Sequence, residues 1–242
     1  MKRALVINGS PHMDRGNTAL VLDPFVDGMR EAGAEVEIVY TKKLRVRPCE
    51  GDYACWFKTP GKCFQKDDME PLLPAVARAD ILVFATPVYV DGVTGPLKNF
   101  MDRLIAIGHP AFEMREEHCR HAPRERLEGS ALALVSNCGF WELDNFDPML
   151  VHMKAVAKNL DRAFAGALLR PHGGALRPML EGEVAARDIL EAAKEAGGEV
   201  VRDGRMSERS MSVVCRELLP RERYVEIANA RMRQALERLE GR

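Results

Sequence analysis

Net charge is nearly absent from this chain: 35 Lys and Arg stand against 36 Asp and Glu, a formal -1 over 242 residues. That balance excludes a global basic field for nucleic acid and an acidic excess for docking basic partners. Arginine-rich pieces such as RHAPRER read as solvated faces. No run of eighteen apolar residues occurs, so no membrane-spanning helix is expected. The opening MKRALVINGSPH passes straight into an apolar run and a Gly loop, without the apolar stretch and cleavage site of a signal peptide. The expectation is a cytoplasmic protein whose six cysteines are thiols, ligands or catalytic groups rather than disulfides. A fixed-period repeat and a low-complexity tract are also missing.

What is present is an ordinary globular composition, 46% hydrophobic and 29% charged, in a chain long enough for one large domain or one domain with an appendage. ALVING (4–9), EVEIVY (35–40), ILVFATPVY, ALALVSNCG and AFAGALL read as strands, the buried ones as short runs rich in branched residues. Between them lie helical patterns: NTALVLDPFVDGMREAG, interrupted by Pro24 and closing at Gly33; DDMEPLLPAVARAD; GPLKNFMDRLI with Pro96 near its start; and FDPMLVHMKAVAKNL. Strands alternating with helices predict an α/β fold with a parallel sheet. From about Met179 the pattern is helical only, with EVAARDILEAAKEAG and RERYVEIANARMRQALERLEG separated by GGEVVRDGRMSERS. In the last helix Tyr224, Ile227, Ala228, Ala235, Leu236 and Leu239 form an apolar stripe, expected to pack on the parent domain or, failing that, on a partner subunit. The division expected is 1–178 for the α/β domain and 179–242 for a helical extension.

In an open α/β sheet, ligands bind beyond the C-terminal ends of the strands, where strand order reverses. After the first strand stands NGSPHMDRGNTALV, whose small residues let the backbone approach an anion and whose following helix favours a phosphate. It has neither the GK[ST] ending of a Walker loop nor the G-x-G-x-x-G dinucleotide fingerprint. TPVYVDGVTGPLKNFMDR offers a stiff backbone edge led by Tyr89. SNCGFWE is a small-residue turn carrying Phe140 and Trp141. Any one of these is an ordinary turn; together they describe a phosphate cradle, a polar edge and aromatic faces.

These three segments resemble the FMN-contacting loops of the flavodoxin-like NAD(P)H-dependent oxidoreductases, a group that includes the NADPH-dependent FMN reductases and the iron–sulfur flavoproteins. The resemblance covers about Met1 to Arg170, with LLPRERYVEIAN also similar to longer members. It implies a doubly wound, flavodoxin-like five-stranded parallel sheet with the helical C-terminal extension. It further implies bound FMN, NADH or NADPH as hydride donor, and a homodimer or higher homo-oligomer. Ser10, His12, Asn17 and Thr18 would hold the FMN phosphate; Pro87, Val88, Tyr89 and Gly92 would frame the isoalloxazine ring; Ser136, Cys138 and Gly139 would line its other side. His12 stands where many members carry Arg, and a neutral imidazole offers one donor where Arg offers a permanent charge. No obligatory acid or base is visible; Tyr89 and Trp141 are candidates for positioning the hydride donor or are structural aromatics.

The activity implied is hydride transfer through flavin N5 to a small acceptor such as a quinone, free flavin, nitroaromatic or azo compound. An electron carrier is the alternative, although such carriers are typically shorter and strongly acidic; a flavin-fold binding module is a third. The carrier reading turns on RPCEGDYACWFKTPGKC. Iron–sulfur flavoproteins carry a compact four-cysteine motif in this loop, and here its positions read Cys49, Asp52, Cys55 and Cys63. A four-iron cluster normally takes four thiolates, and a carboxylate is a harder ligand. The readings are a cluster-free cap beside the flavin, a cluster completed by Asp52 or an outside ligand, a zinc site or thiol redox pair, and buried cysteine acting as a small hydrophobe. Cys119, between His118 and His121, suits a solvated segment as well as a metal, and Cys215 has no partner pattern.

Overall fold

A computed structural model describes residues 1–182 and 186–240. Its centre is a parallel sheet of β1 (Arg3–Asn8), β2 (Glu35–Tyr40), β3 (Ile81–Pro87), β6 (Ala131–Asn137) and β7 (Ala163–Arg170), ordered β2-β1-β3-β6-β7. This is the flavodoxin-like order, and the reversal falls between β1 and β3. β3 and β6 are apolar almost throughout because both faces are covered. Alternation still sorts the side chains. Val6, Val83, Ala85, Ala133 and Val135 face one core, and Leu5, Ile7, Leu82, Phe84, Leu132 and Leu134 face the other.

The second core is roofed by α3 (Met69–Arg78), α4 (Gly95–Asp102) and α5 (Asp147–Asn159). The first is roofed by α1 (Asn17–Glu31), α7 (Arg187–Asp203) and α8 (Glu208–Cys215). α1 is continuous through Pro24, so the expected interruption does not occur. It ends at Gly33, φ +88°, with the N–H groups of Ala34 and Gly33 on the carbonyls of Met29 and Arg30, a Schellman closure. α7 runs through Gly197 and Gly198, where the sequence suggested a break. The reason is a close crossing: a Cβ on Gly197 would lie 1.9 Å from the Phe25 carbonyl oxygen, and one on Gly28 would lie 1.8 Å from that of Lys194. Glycine is needed here to bring two helix backbones together. α8 opens on Ser207, whose side chain accepts from the Ser210 N–H.

The described residues after Met179 therefore behave in two ways. Ile189, Ala193, Ala196, Val200 and Val214 are fully buried in the first core. α9 (Arg221–Glu240) has no buried residue, and Met232, Leu236 and Leu239 are exposed. Its N-terminal half, Arg223, Tyr224, Ile227, Ala228, Arg231 and Met232, borders a cleft shared with Pro178 and Met179. Of the stripe, Ala235, Leu236 and Leu239 lie beyond that cleft and are exposed.

One element has no counterpart in the sequence reading. Residues 108–123 form an antiparallel hairpin of β4 (Gly108–Arg115) and β5 (His118–Pro123), turning through Glu116 and Glu117, both at positive φ. Arg115 and Arg126 fasten it through Glu113 and Asp161.

Candidate functional site

The strand-end loops meet at the β1/β3 reversal and are tied to one another by hydrogen bonds. Gly9 donates its N–H to the Ala85 carbonyl at 2.7 Å, and its own carbonyl accepts from Thr94 Oγ1 at 2.8 Å. Val88 N–H donates to the Asn137 carbonyl, and Ser136 Oγ donates to Thr86. Thr18 Oγ1 donates to Asn137 Oδ1 at 2.6 Å, joining the start of α1 to the end of β6. A Cβ on Gly9 would meet Leu97 at 2.8 Å, so the loop after β1 lies flat against the start of α4.

This interlocking leaves donors free. Ser10 N–H goes to Asn8 Oδ1 and His12 N–H to Ser10 Oγ. The N–H groups of Gly16, Asn17 and Thr18 have no protein partner among the described residues. They open a 15-residue helix whose dipole favours an anion in the same place. Two cations border the loop: Lys42 Nζ bonds the Pro11 carbonyl at 2.9 Å, and Arg177 bonds the Arg15 carbonyl at 3.1 Å. The sequence reading passed over both, because they come from distant segments with no motif. His12 is exposed at the loop's rim. Free amides, flanking cations and small residues fit a phosphate, and with it FMN.

The loop after β3 projects as a tight turn. Tyr89 and Gly92 exchange backbone hydrogen bonds, with Val90 and Asp91 between them at φ +46° and +60°. Left-handed backbone at β-branched Val90, which is 99% exposed, is a strained conformation held by that pairing. Pro87 and Val88 are half-buried, and Tyr89 is exposed. On the β6 side Ser136 and Cys138 are turned inward. Ser136 is 1% exposed; Cys138 donates its N–H to Arg170 and its thiol to Phe140, and accepts from Gly173. Burial pushes the Cys138 thiol up. Gly139 and Phe140 are what this loop shows to solvent.

Trp141 is anchored: its Nε1–H donates to the Leu219 carbonyl, and its ring stacks on His172 at 5.9 Å. His172 is fully buried, accepts at Nε2 from the Leu218 N–H, and meets Tyr224 edge-on. Burial, then the Arg170 guanidinium beside it, lowers its pKa to about 4. Arg170, also buried, donates to the carbonyls of Pro171, Val214 and Arg216. The segment after α8 and the base of α9 are thus fastened to the β6 loop, where Tyr224 donates to the Gly139 carbonyl.

Cys49, Asp52, Cys55 and Cys63 line one cleft of about 20 Å³ beside Gln65 and Arg103. That is room for about one water molecule, and the four positions offer three thiols and one carboxylate where a four-iron cluster takes four thiolates. Among the described residues no group of three or more His, Cys, Asp or Glu is placed to hold a metal ion. Behind the cleft Arg103 grips Asp67 through both terminal nitrogens at 2.7 and 3.1 Å. Burial raises the Asp67 carboxyl, but Arg103 and the N–H groups of Arg47 and Met69 outweigh it and hold the group below its usual range. The larger clefts lie elsewhere, about 370 Å³ under the hairpin and about 430 Å³ at the base of α9.

The model of the family described as NADPH-dependent FMN reductase matches residues 2–152, which contain all three strand-end loops. An iron–sulfur flavoprotein of Archaeoglobus fulgidus is 38% identical over 101 residues, 42% of this chain and 48% of the relative. The chain spans about half the length of the first curated relatives it matches. Among solved structures, an FMN-dependent NADH-azoreductase of Bacillus anthracis in complex with FMN has a TM-score of 0.64 at 17% identity, covering 84% of this chain and all of that one. An NAD(P)H:quinone oxidoreductase of Methanothermobacter marburgensis has 0.58 at 17% identity, covering 82% and 95%. At such identities the structures speak for the fold. With more than half of its length matched, the chain belongs to the NADPH-dependent FMN reductase family.

Proposed function

We propose that the protein is an FMN-dependent NAD(P)H oxidoreductase that passes reducing equivalents to a small acceptor such as a quinone, free flavin, nitroaromatic or azo compound. One observation carries this reading: the unpartnered N–H groups of Gly16, Asn17 and Thr18, locked by Thr18–Asn137 against the loops after β3 and β6. FMN, when bound, supplies the hydride chemistry. Gly16, Asn17 and Thr18 hold the phosphate by their amides, with Lys42 and Arg177 adding charge and His12 a rim donor. Pro87, Val88 and the Tyr89–Gly92 turn frame one edge of the ring, with Gly139 and Phe140 across from it. Ser136 and Cys138 act from beneath as ties, and Tyr89 is the side chain free to position a hydride donor.

A cluster-bearing carrier has less behind it, given the three thiols and one carboxylate of the Cys49–Cys63 cleft. Free thiols at all six cysteines support a reducing, cytoplasmic location. A homodimer is supported by α9, whose exposed Met232, Leu236 and Leu239 lie among five Arg and four Glu, a self-complementary surface. The test is to load the purified protein with FMN and follow flavin reduction by NADH and NADPH in stopped flow, then reoxidation by quinone, flavin and nitroaromatic acceptors. Tight FMN uptake with rapid bleaching is expected; a protein that takes up no FMN overturns the reading.

A further inference from the structure

The Cys49–Cys63 loop contributes nothing to the phosphate cradle, yet its three cysteines line one cleft. Cys55 lies on the short helix α2 (Ala54–Phe57) and is 7% exposed. The Gly61 N–H donates to the Cys55 carbonyl at 3.0 Å, folding the chain back so that Cys63 returns to the same cleft. Cys63 is half-buried and also borders a second, wider cleft, whereas Cys49 stands on an exposed stretch. Arg103 closes the floor. It is 1% exposed, its Nε–H has no hydrogen-bond partner, and it lines the same cleft as Cys63. Half-buried Cys63 and buried Cys55 thus share one cleft, floored by Arg103 in its pair with Asp67. Burial, followed by the nearby Cys63 and Cys49 sulfurs, raises the Cys55 thiol, which keeps it protonated.

We propose that Cys55 and Cys63 form a reversible dithiol–disulfide site, oxidised by hydroperoxides and restored by a dithiol reductant. The Cys63 sulfur, reached from solvent, attacks the terminal peroxide oxygen. An S–O bond forms, the O–O bond breaks, and the departing oxygen takes up a proton to leave as alcohol or water. The Cys55 sulfur then attacks the Cys63 sulfur. The S–S bond forms, the S–O bond breaks, and hydroxide leaves with the Cys55 proton as water. Two thiols lose two electrons and two protons, and the peroxide is reduced. The reverse needs two thiols from the reductant, which leaves as its own disulfide. This site does not rest on the flavin reading.

The test uses the full chain, reduced, freed of reductant without oxygen, and treated with one equivalent of hydrogen peroxide. The expected result is a mass lower by two hydrogens, loss of two titratable thiols, and one linked peptide joining Cys55 to Cys63, all reversed by dithiothreitol. Cys49→Ser behaves as wild type, whereas Cys55→Ser stops at a sulfenic acid on Cys63 that a 1,3-dione traps. Trp56, held by the Ile105 carbonyl and tilted against His121 at 4.6 Å, reports the change by fluorescence. A linkage through Cys49 overturns the proposal. So does oxygen added at Cys119 or Cys215 with Cys55 and Cys63 still reduced, or stoichiometric iron and sulfide in the protein as purified.

Discussion

Replacing Gly197 by alanine tests the crossing of α1 and α7. The new methyl would sit 1.9 Å from the Phe25 carbonyl oxygen and 2.8 Å from its carbon, and ordinary contact begins at 3.4 Å. Both atoms are helix backbone, so no rotamer relieves the clash; the two helices must separate. They do so in the middle of a core where Phe25, Met29, Ala193, Ala196 and Val200 are all fully buried. Overpacked cores lose about 1–3 kcal/mol, and a backbone clash belongs at the upper end. Alanine's helix propensity returns about 1 kcal/mol. The net loss is about 2 kcal/mol, or roughly 4–8 °C in Tm at this chain length. The neighbouring glycine is the control: a Cβ on Gly198 would meet only the mobile guanidinium of Arg202, at 2.5 Å. Gly198→Ala is therefore expected to be neutral or up to about 1 kcal/mol stabilising. Circular-dichroism melts of the two variants in one buffer decide the matter. If Gly197→Ala melts with or above Gly198→Ala, the close-approach argument is wrong.

Asn137→Ala removes the acceptor for the buried Thr18 hydroxyl. The lost bond is worth about 1 kcal/mol, so FMN titrated by fluorescence should bind about five- to tenfold more weakly; unchanged affinity would show that this tie does not set the cradle. His172, neutral when folded down to about pH 4, takes a proton in the unfolded chain from about pH 6.5. Stability is thus full above that pH and falls as pH drops from 6.5 toward 4, by about 3 kcal/mol over the window. Urea melts should show the slope, and His172→Asn, which tolerates the left-handed backbone there, should flatten it. Met232→Glu with Leu236→Glu places like charges on the open face of α9. Sedimentation should show wild-type dimers dissociating into monomers while FMN uptake persists, and an unchanged sedimentation coefficient would place the dimer contact elsewhere.

β1, β3 and β6 were legible because a strand covered on both faces must be apolar along its length, and edge strand β2 because its residues alternate. The hairpin was hidden by its composition. GHPAFEMR and HCRHAP mix charge with Pro110 and Pro123, and its turn is Glu116–Glu117, where a glycine or asparagine would have announced positive φ. Val90–Asp91 is silent for the same reason. The Gly197–Gly198 pair signals a helix end locally, and only the approach of Phe25, far away in sequence, explains why the helix continues. At the site, the loops could be named from their place after the strands and from their resemblance to the family, but the direction of each side chain could not. The side chains of Ser136 and Thr18 join one segment to another and that of Cys138 closes on Phe140, which no sequence pattern announces. Lys42 and Arg177 arrive from segments carrying no motif, and Arg103, although it ends TPVYVDGVTGPLKNFMDR, turns to Asp67.

The α1–α7 crossing has a consequence for how the chain is made. The apolar face of α1 waits for a partner encoded roughly 170 residues downstream, which at ribosomal rates of about 5–20 residues per second is an exposure of about 10–30 s. Throughout that interval the half-built sheet carries one roof and one bare flank. The nascent protein is thus a natural client for holding factors, and a truncation before Arg187 would leave that flank bare for good.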